Sequence, residues 1–138
     1  MKIDKEHIVS YIPQRAPFIM IDNLIDAADG AFMTDFHVLP DNIFLEGDTL
    51  REFALIENIA QSSAAGISFM KSTSQSGSSD GFIGGISKLI VHALPKVNDT
   101  IRTVVTQLLQ FENMYLLKGE CYVDGRKMLE CEIKLAGK

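Results

Sequence analysis

The sequence predicts an α+β fold in which an antiparallel sheet curls around one long helix. Residues 49–70 form the only stretch that is long and apolar enough to make a helix for other elements to wrap. The segments before and after it alternate or carry β-branched residues, which is typical of strands. A long buried helix beside antiparallel strands indicates two packed layers around one core. At 138 residues, the chain is predicted to be a single domain over residues 1–138.

The start of the helix is predicted from a capping box. Thr49 is followed three residues later by Glu52, a spacing at which the two side chains satisfy unpaired backbone donors, so Leu50 is predicted to be the first helical residue. At helical spacing, apolar residues cover more than half of the circumference, and the other positions form a polar stripe that includes Asn58 and Ser62.

Glu57 and Gln61 lie one turn apart at the margin between the two faces of this helix. Their neighbours are alanines, which let another backbone or a ligand approach closely: Ala54, Ala60 and Ala64. From periodicity alone, an ordinary solvated carboxylate is the simpler interpretation of Glu57.

The rest of the chain reads as a short helix over residues 4–11 and six strands. Two strands, residues 18–28 and 31–39, flank an Asp29-Gly30 turn, and a Ser-rich surface loop over residues 71–81 follows the long helix. Four more strands are predicted over residues 82–94, 100–111, 114–123 and 127–135. Gly84-Gly85 within the first of these indicates a bulge, or the close approach of a ligand or a neighbouring chain.

The composition argues against several classes of function. A net charge of -5 without clustered Lys or Arg disfavours nucleic-acid binding. The cysteines, Cys121 and Cys131, and the three histidines lack the spacing of a metal site, so we expect reduced, partly buried thiols and neither metal nor cofactor. The sequence contains no signal-like N-terminus and no apolar run of membrane-spanning length, which favours a cytoplasmic protein without a membrane span.

The junction between residues 43–48 and the helix is a candidate site. Free amides at a helix start suit an oxygen that gains negative charge. Glu46 and Asp48 lie there, and a carboxylate at this position is either a capping anion or a catalytic group.

Three stretches of the sequence resemble the β-hydroxyacyl-ACP dehydratases, which have the hotdog fold. YIPQRAPFIMIDNLID over residues 11–26 is similar to the opening pattern of that family, and GFIGGISKLIVHALPKVNDTI over residues 81–101 is similar to its third strand and the following turn. LIENIAQSSAAG over residues 55–66 resembles the central-helix motif, with Glu57 at the position of the catalytic glutamate.

The chain departs from the family where the catalytic histidine is expected. The family's Gly-His-Phe-Pro segment is replaced by residues 45–49, LEGDT, in which Asp48 stands at the position of the histidine. This shortened version resembles the dehydratase-like partner proteins of aryl-polyene and flexirubin-type pigment clusters.

The resemblance implies a substrate and a set of roles. The substrate would be a 3-hydroxyacyl thioester on acyl carrier protein or CoA, in fatty-acid or polyene (polyketide-like) biosynthesis. Dehydration needs an acid, a base and donors to the thioester carbonyl. Glu57 would be the acid if burial raised its pKa, Asp48 the base, and the Thr49 and Leu50 amides the donors. The remaining predicted site residues orient Glu57 or line an apolar tunnel: Gln61, Phe44, Phe53, Gly84 and Gly85.

Three hypotheses follow, and all expect a homodimer, or a heterodimer with a homologous chain, paired through residues 82–90. The first is a dehydratase (a lyase) with a variant, impaired site. The second is a thioesterase in which Glu57 alone activates water. The third is a non-catalytic subunit that supports an active homologue.

Overall fold

The structure is a computed structural model that describes residues 1–73 and 81–137. The first half contains a 3-10 turn at Ile8–Ser10, strands β1 (Asn23–Ala28), β2 (Ala31–His37), β3 (Leu45–Glu46) and β4 (Thr49–Leu50), and helix α1 (Glu52–Thr73). Four long strands follow: β5 (Gly81–Val91), β6 (Thr100–Phe111), β7 (Met114–Val123) and β8 (Arg126–Gly137). Most of the predicted surface loop, residues 74–80, lies outside the described residues.

Six strands form one antiparallel sheet in the order β1-β2-β6-β7-β8-β5, and α1 packs against it. The predicted architecture of an antiparallel sheet around a long helix is therefore confirmed. The two short strands β3 and β4 pair separately as a small ribbon before the helix.

The predicted turn chemistry is present at both hairpins. Gly30 has φ 76° between β1 and β2, and Asp124-Gly125 has φ values of 50° and 78° between β7 and β8. Such left-handed backbone favours glycine and short polar residues, which is why these dipeptides mark hairpins.

The predicted helix start is wrong by two residues. Thr49 and Leu50 are extended in β4, and α1 begins at Glu52. The Leu50 amide donates to the carbonyl of Pro95 at 2.9 Å, and the Thr49 hydroxyl contacts Asp48 and Lys96 instead of capping the helix. The capping box does not form because residues 49 and 50 pair with Pro95 and Lys96, in the turn between β5 and β6, and this pairing keeps them extended.

Two N-terminal predictions are also too long. The first helix is only the 3-10 turn Ile8–Ser10, and β1 begins at Asn23 rather than residue 18. Backbone groups of Phe18 and Met20 bind side chains of α1, so this segment does not join the sheet there.

The core lies between α1 and the inner face of the sheet. It is built from fully buried aliphatic side chains, including Leu55, Ile59, Ile101, Leu117, Leu129 and Ile133. Gly66 and Gly119 allow the helix and sheet to approach this closely, since a Cβ atom would overlap the Phe32 ring at Gly66 and the Ile59 side chain at Gly119.

The described residues contain neither a membrane-spanning helix nor a cluster of metal-binding side chains. Within residues 1–73 and 81–137, no helix is both long and apolar enough to cross a membrane. The same residues contain no cluster of three His, Cys, Asp or Glu side chains arranged to hold a metal ion.

Candidate functional site

Glu57 lies in the second turn of α1 and is partly buried. A hydrogen bond from the Gln61 side chain orients its carboxylate. Gln61 Nε2 donates to Glu57 Oε2 at 3.3 Å and to the carbonyl of Phe18 at 2.8 Å, while its Oε1 accepts the Met20 amide at 2.7 Å. The amide orientation is unambiguous, because a backbone N–H can only donate and a carbonyl can only accept. Gln61 is fully buried, so the predicted Glu57–Gln61 pair is built into the fold.

Asn58 binds the same backbone segment from the inner face of the helix. Its Nδ2 donates to the Met20 carbonyl at 2.7 Å, and its Oδ1 accepts from Thr103 Oγ1 at 2.5 Å. The Cys121 thiol lies 3.7 Å from the same oxygen. We call the bonds from Asn58 and Gln61 to residues 18–20 the amide clamp.

The predicted polar stripe is therefore a buried interface. Asn58 and Ser62 are fully covered, and the Ser62 hydroxyl lies 2.7 Å from that of Thr34 on β2. Ser62 also donates to the carbonyl of Asn58. Sequence periodicity missed this because the partners, Thr34 and Thr103, come from strands that are distant in the chain.

Both cysteines are free and buried. Burial raises the pKa of the Cys121 thiol to about 12 and that of Cys131 to about 11. These thiols stay protonated and unreactive at neutral pH, because the thiolate is the reactive form.

Asp48 lies in the β3–β4 turn, and its side chain is 77% exposed. Its Oδ1 accepts from Thr49 Oγ1 at 3.3 Å and lies 3.5 Å from Lys96 Nζ. No hydrogen bond of the described residues joins Asp48 to Glu57. The role of Asp48 as a base stays a prediction, and its exposed, ion-paired setting differs from the desolvated one that a catalytic Asp requires.

The predicted carbonyl donors occupy different positions from those expected. Leu50 N–H is bonded to Pro95 within the chain, so the prediction of a free donor at this residue is wrong. Thr49 pairs with Glu46 in the ribbon and bridges to Lys96. At the actual start of α1, the Arg51 amide donates to the Phe44 carbonyl.

Charged side chains cover the beginning of α1. Arg51 contacts Glu52 at 3.0 Å and Glu46 at 3.4 Å. A hydrogen bond from its own backbone amide lowers the pKa of Glu52, and Arg51 adds to this effect. Glu46 and Glu52 therefore act as surface ion-pair and helix-start residues, which is the simpler of the two interpretations considered for carboxylates here.

Two exposed phenylalanines belong to the segments that adjoin Glu57. Phe53, one turn earlier on α1, is 54% exposed and packs on Phe44 with ring centroids 5.3 Å apart. Phe18, whose carbonyl shares Gln61 Nε2 with Glu57, is 53% exposed. Both phenylalanines are therefore exposed residues of the segments that adjoin Glu57, one through the helix and one through Gln61. A tunnel lined by Phe44 and Phe53 stays a prediction.

Gly84-Gly85 lies on β5, the last strand of the sheet order. A Cβ atom at Gly85 would meet nothing within 4 Å, and one at Gly84 only ordinary contacts of Lys134. The β5–β8 register shifts between Ile83 and Gly85, as the predicted bulge would require, and the steric environment within this chain does not restrict either position to glycine. Large apolar side chains near these glycines on β5 are exposed: Ile86, Leu89, Ile90 and Val91.

The histidines make contacts away from Glu57. His7 binds Asp4 at 2.7 Å, His37 lies 3.3 Å from the Thr100 hydroxyl, and His92 contacts Glu130 at 3.0 Å. In the described part of the chain, none is hydrogen-bonded to Glu57.

A half-buried helix glutamate beside a buried glutamine, on a helix wrapped by an antiparallel sheet, is the arrangement that the dehydratase resemblance implies. The sequence matches the ApeP-like family model, described as ApeP dehydratase, over residues 6–137. The chain belongs to the ApeP-like dehydratase family. The resemblance to a dehydratase-like hotdog family is thereby confirmed. The sequence matches none of the curated proteins with which it was compared.

Solved structures share the fold at low sequence identity. One is the dehydratase heterocomplex ApeI:P from Xenorhabdus doucetiae, with a TM-score of 0.88 and 19% identity over 95% of this chain and 90% of that one. Another is Cj0977, a sigma28-regulated virulence protein from Campylobacter jejuni, with a TM-score of 0.72 and 12% identity over 96% of each chain. A hypothetical thioesterase with coenzyme A from Streptococcus pneumoniae has a TM-score of 0.66 and 14% identity over 84% of each chain. These similarities confirm the hotdog fold.

Proposed function

We propose that this protein is a subunit of a 3-hydroxyacyl-thioester dehydratase in polyene (polyketide-like) or fatty-acid biosynthesis, in which Glu57 is one of two acid–base groups. The observation that supports this most directly is the hydrogen bond from the buried Gln61 side chain, which orients the partly buried Glu57 carboxylate. Membership of the ApeP-like family and the similarity to pigment-cluster dehydratase-like proteins favour the polyene pathway.

Dehydration removes the C2 proton and expels the C3 hydroxyl as water, so it needs two positioned groups and a donor to the thioester oxygen. Glu57 supplies one group. The described hydrogen bonds join no histidine of this chain to Glu57, and exposed Asp48 is held by Lys96. We propose that a homologous hotdog chain supplies the second group, a histidine; the similarity to the ApeI:P dehydratase heterocomplex supports an assembly of two different chains.

The β5 strand is the surface on which such a partner would pair. It ends the sheet, carries exposed Ile86, Ile90 and Val91, and has steric room at Gly85. An apolar strand at the end of a sheet is an aggregation risk unless another chain covers it. Pairing through β5 would continue the sheet across two chains.

The test compares dehydration of 3-hydroxyacyl-ACP by this chain alone, by a histidine-containing hotdog partner alone, and by both together. Activity should require both chains, and Glu57→Gln in the complex should lower turnover by about 10²–10⁴-fold, the usual contribution of an acid–base group. Asp48→Asn is the matched carboxylate control and should retain activity. A tenfold loss with Asp48→Asn and none with Glu57→Gln would reverse the assignment.

A thioesterase is the second candidate, because the fold is shared with the CoA-bound hypothetical thioesterase and Glu57 is a partly buried helix carboxylate that Gln61 orients. In that reaction Glu57 would activate water for attack on the thioester carbonyl. Release of free acid and thiol from an acyl-CoA without a 3-hydroxyl group, abolished by Glu57→Gln, would favour this activity over dehydration.

A further inference from the structure

The amide clamp orders a stretch of backbone that belongs neither to the sheet nor to the helix. Phe18 and Met20 are held by three hydrogen bonds of 2.7–2.8 Å from the side chains of Gln61 and Asn58. Both amides are buried, so these bonds are shielded from competing water. The position of Phe18 relative to α1 is therefore well defined.

The same clamp brings Phe18 next to the carboxylate. Gln61 Nε2 donates both to the Phe18 carbonyl and to Glu57 Oε2, so the two oxygens lie within reach of one nitrogen. An acid–base group must come within about 2.6–3.2 Å of the heavy atom that carries the transferred proton. A substrate engaged by Glu57 would therefore lie close to the backbone of Phe18, from which the exposed Phe18 side chain projects.

The Phe18 ring is not needed to complete the core. It is 53% exposed, whereas the next two residues that the clamp orders, Ile19 and Met20, are packed into or against the core. An isolated exposed hydrophobic residue is ordinary on a protein surface. Phe18 is different, because its backbone carbonyl accepts a hydrogen bond from Gln61, and Gln61 also orients Glu57.

We propose that Phe18 is a specificity-determining residue of the Glu57 site, and that its ring forms the wall against which the acyl group packs beyond C3. The inference rests on the proposed function. It predicts that Phe18 discriminates between acyl groups by size and shape, while Glu57 and the second acid–base group carry out the chemistry. Phe53 would form the opposite wall.

The test uses Phe18→Ala in the complex with the hotdog partner. Only backbone atoms of Phe18 enter the clamp, so this substitution leaves the clamp intact. Phe111→Ala is the matched control, since Phe111 is 71% exposed at the β6–β7 hairpin. For long or aromatic 3-hydroxyacyl-ACPs, Phe18→Ala should raise KM by about tenfold or more, because pocket contacts of even one methylene change selectivity by 10–200-fold. For 3-hydroxybutyryl-ACP the change should be under about twofold, because that chain ends one carbon beyond C3.

An equal change for short and long substrates, or no change, overturns the inference. A binding measurement separates this outcome from failure of the proposed function. If the wild-type complex shows no dehydration, the proposed function fails, and Phe18 is then tested by titrating an amide analogue of a long 3-hydroxyacyl-pantetheine. Binding that is at least tenfold weaker in Phe18→Ala than in Phe111→Ala supports the wall. Equal binding, or none by the wild type, contradicts it.

Discussion

Adjacent residues on α1 belong to two different regions of the molecule. Asn58 faces the sheet, where its amide is bonded to Met20 and Thr103 and is fully covered by this chain. Glu57 is only partly buried, and Phe53 and Phe18, on the segments that adjoin it, remain exposed. We call these the sheet side and the open side of α1. The sheet side is complete within one chain, whereas the open side keeps exposed apolar surface, which in the proposed function a second molecule covers.

The largest expected difference in unfolding free energy is between alanine variants of the two neighbours Asn58 and Glu57. Asn58→Ala removes a donor and an acceptor and leaves the Met20 carbonyl and the Thr103 hydroxyl without Asn58, which should cost about 2–5 kcal/mol of unfolding free energy. Glu57→Ala should change it by less than about 0.5 kcal/mol. Urea unfolding at one fixed protein concentration measures both. Similar losses for the two variants would show that the two sides do not differ.

A smaller difference in stability is expected between alanine variants of two glycines, Gly119 in the core and Gly85 on β5. Gly119→Ala places a methyl group where the Ile59 side chain lies, and such overpacking typically costs about 1–3 kcal/mol. Gly85→Ala on β5 meets nothing within 4 Å, so the unfolding midpoint of the chain should be unchanged. If Gly85→Ala destabilises the isolated chain as much as Gly119→Ala, then β5 is not an open surface.

A pH-dependent effect on stability is expected at the buried thiol on the sheet side. Burial raises the pKa of Cys121 to about 12, above the ~8.5 of an unfolded cysteine. The folded state therefore holds this proton more tightly, and its contribution to stability is present below pH ~8.5 and lost as pH rises toward 12. The free energy of unfolding should fall above pH ~8.5.

Cys121→Ser is the control for this titration. Serine keeps a hydroxyl beside Asn58 but does not ionise in this range, so the decline between pH ~8.5 and ~11 should be shallower in the variant, by up to ~1.4 kcal/mol per pH unit. Identical pH profiles for the wild type and Cys121→Ser would indicate that the thiol is not sealed from solvent.

The sequence predicted those elements of the fold that depend only on residues close together in the chain. The Asp29-Gly30 and Asp124-Gly125 turns and the single long helix follow from turn chemistry and periodicity. The family motif led to Glu57 and Gln61, which the structure brings together.

The features that the sequence did not predict depend on hydrogen bonds between residues that are distant in the chain. Asn58 and Ser62 appear polar in periodicity but are buried because Thr103 and Thr34 supply hydrogen bonds from distant strands. Thr49 lacks its capping role because Lys96 and the strand-like pairing around Pro95 hold that segment. Residues 18–20 read as a strand, yet they bind the side-chain amides of α1, which is why the sequence pattern did not place Phe18 beside the helix.

The most direct test of the central claim, that Glu57 works in a site shared with a partner, is a double-mutant cycle on the reconstituted complex. One variant carries Glu57→Gln in this chain, a second replaces the partner's catalytic histidine, and a third carries both changes. Single-turnover dehydration of 3-hydroxyacyl-ACP should fall by about 10²–10⁴-fold in each single variant, and the double variant should lose little more than the worse single one, because the two groups act as a unit. Wild-type turnover by the complex that carries only Glu57→Gln would contradict the account.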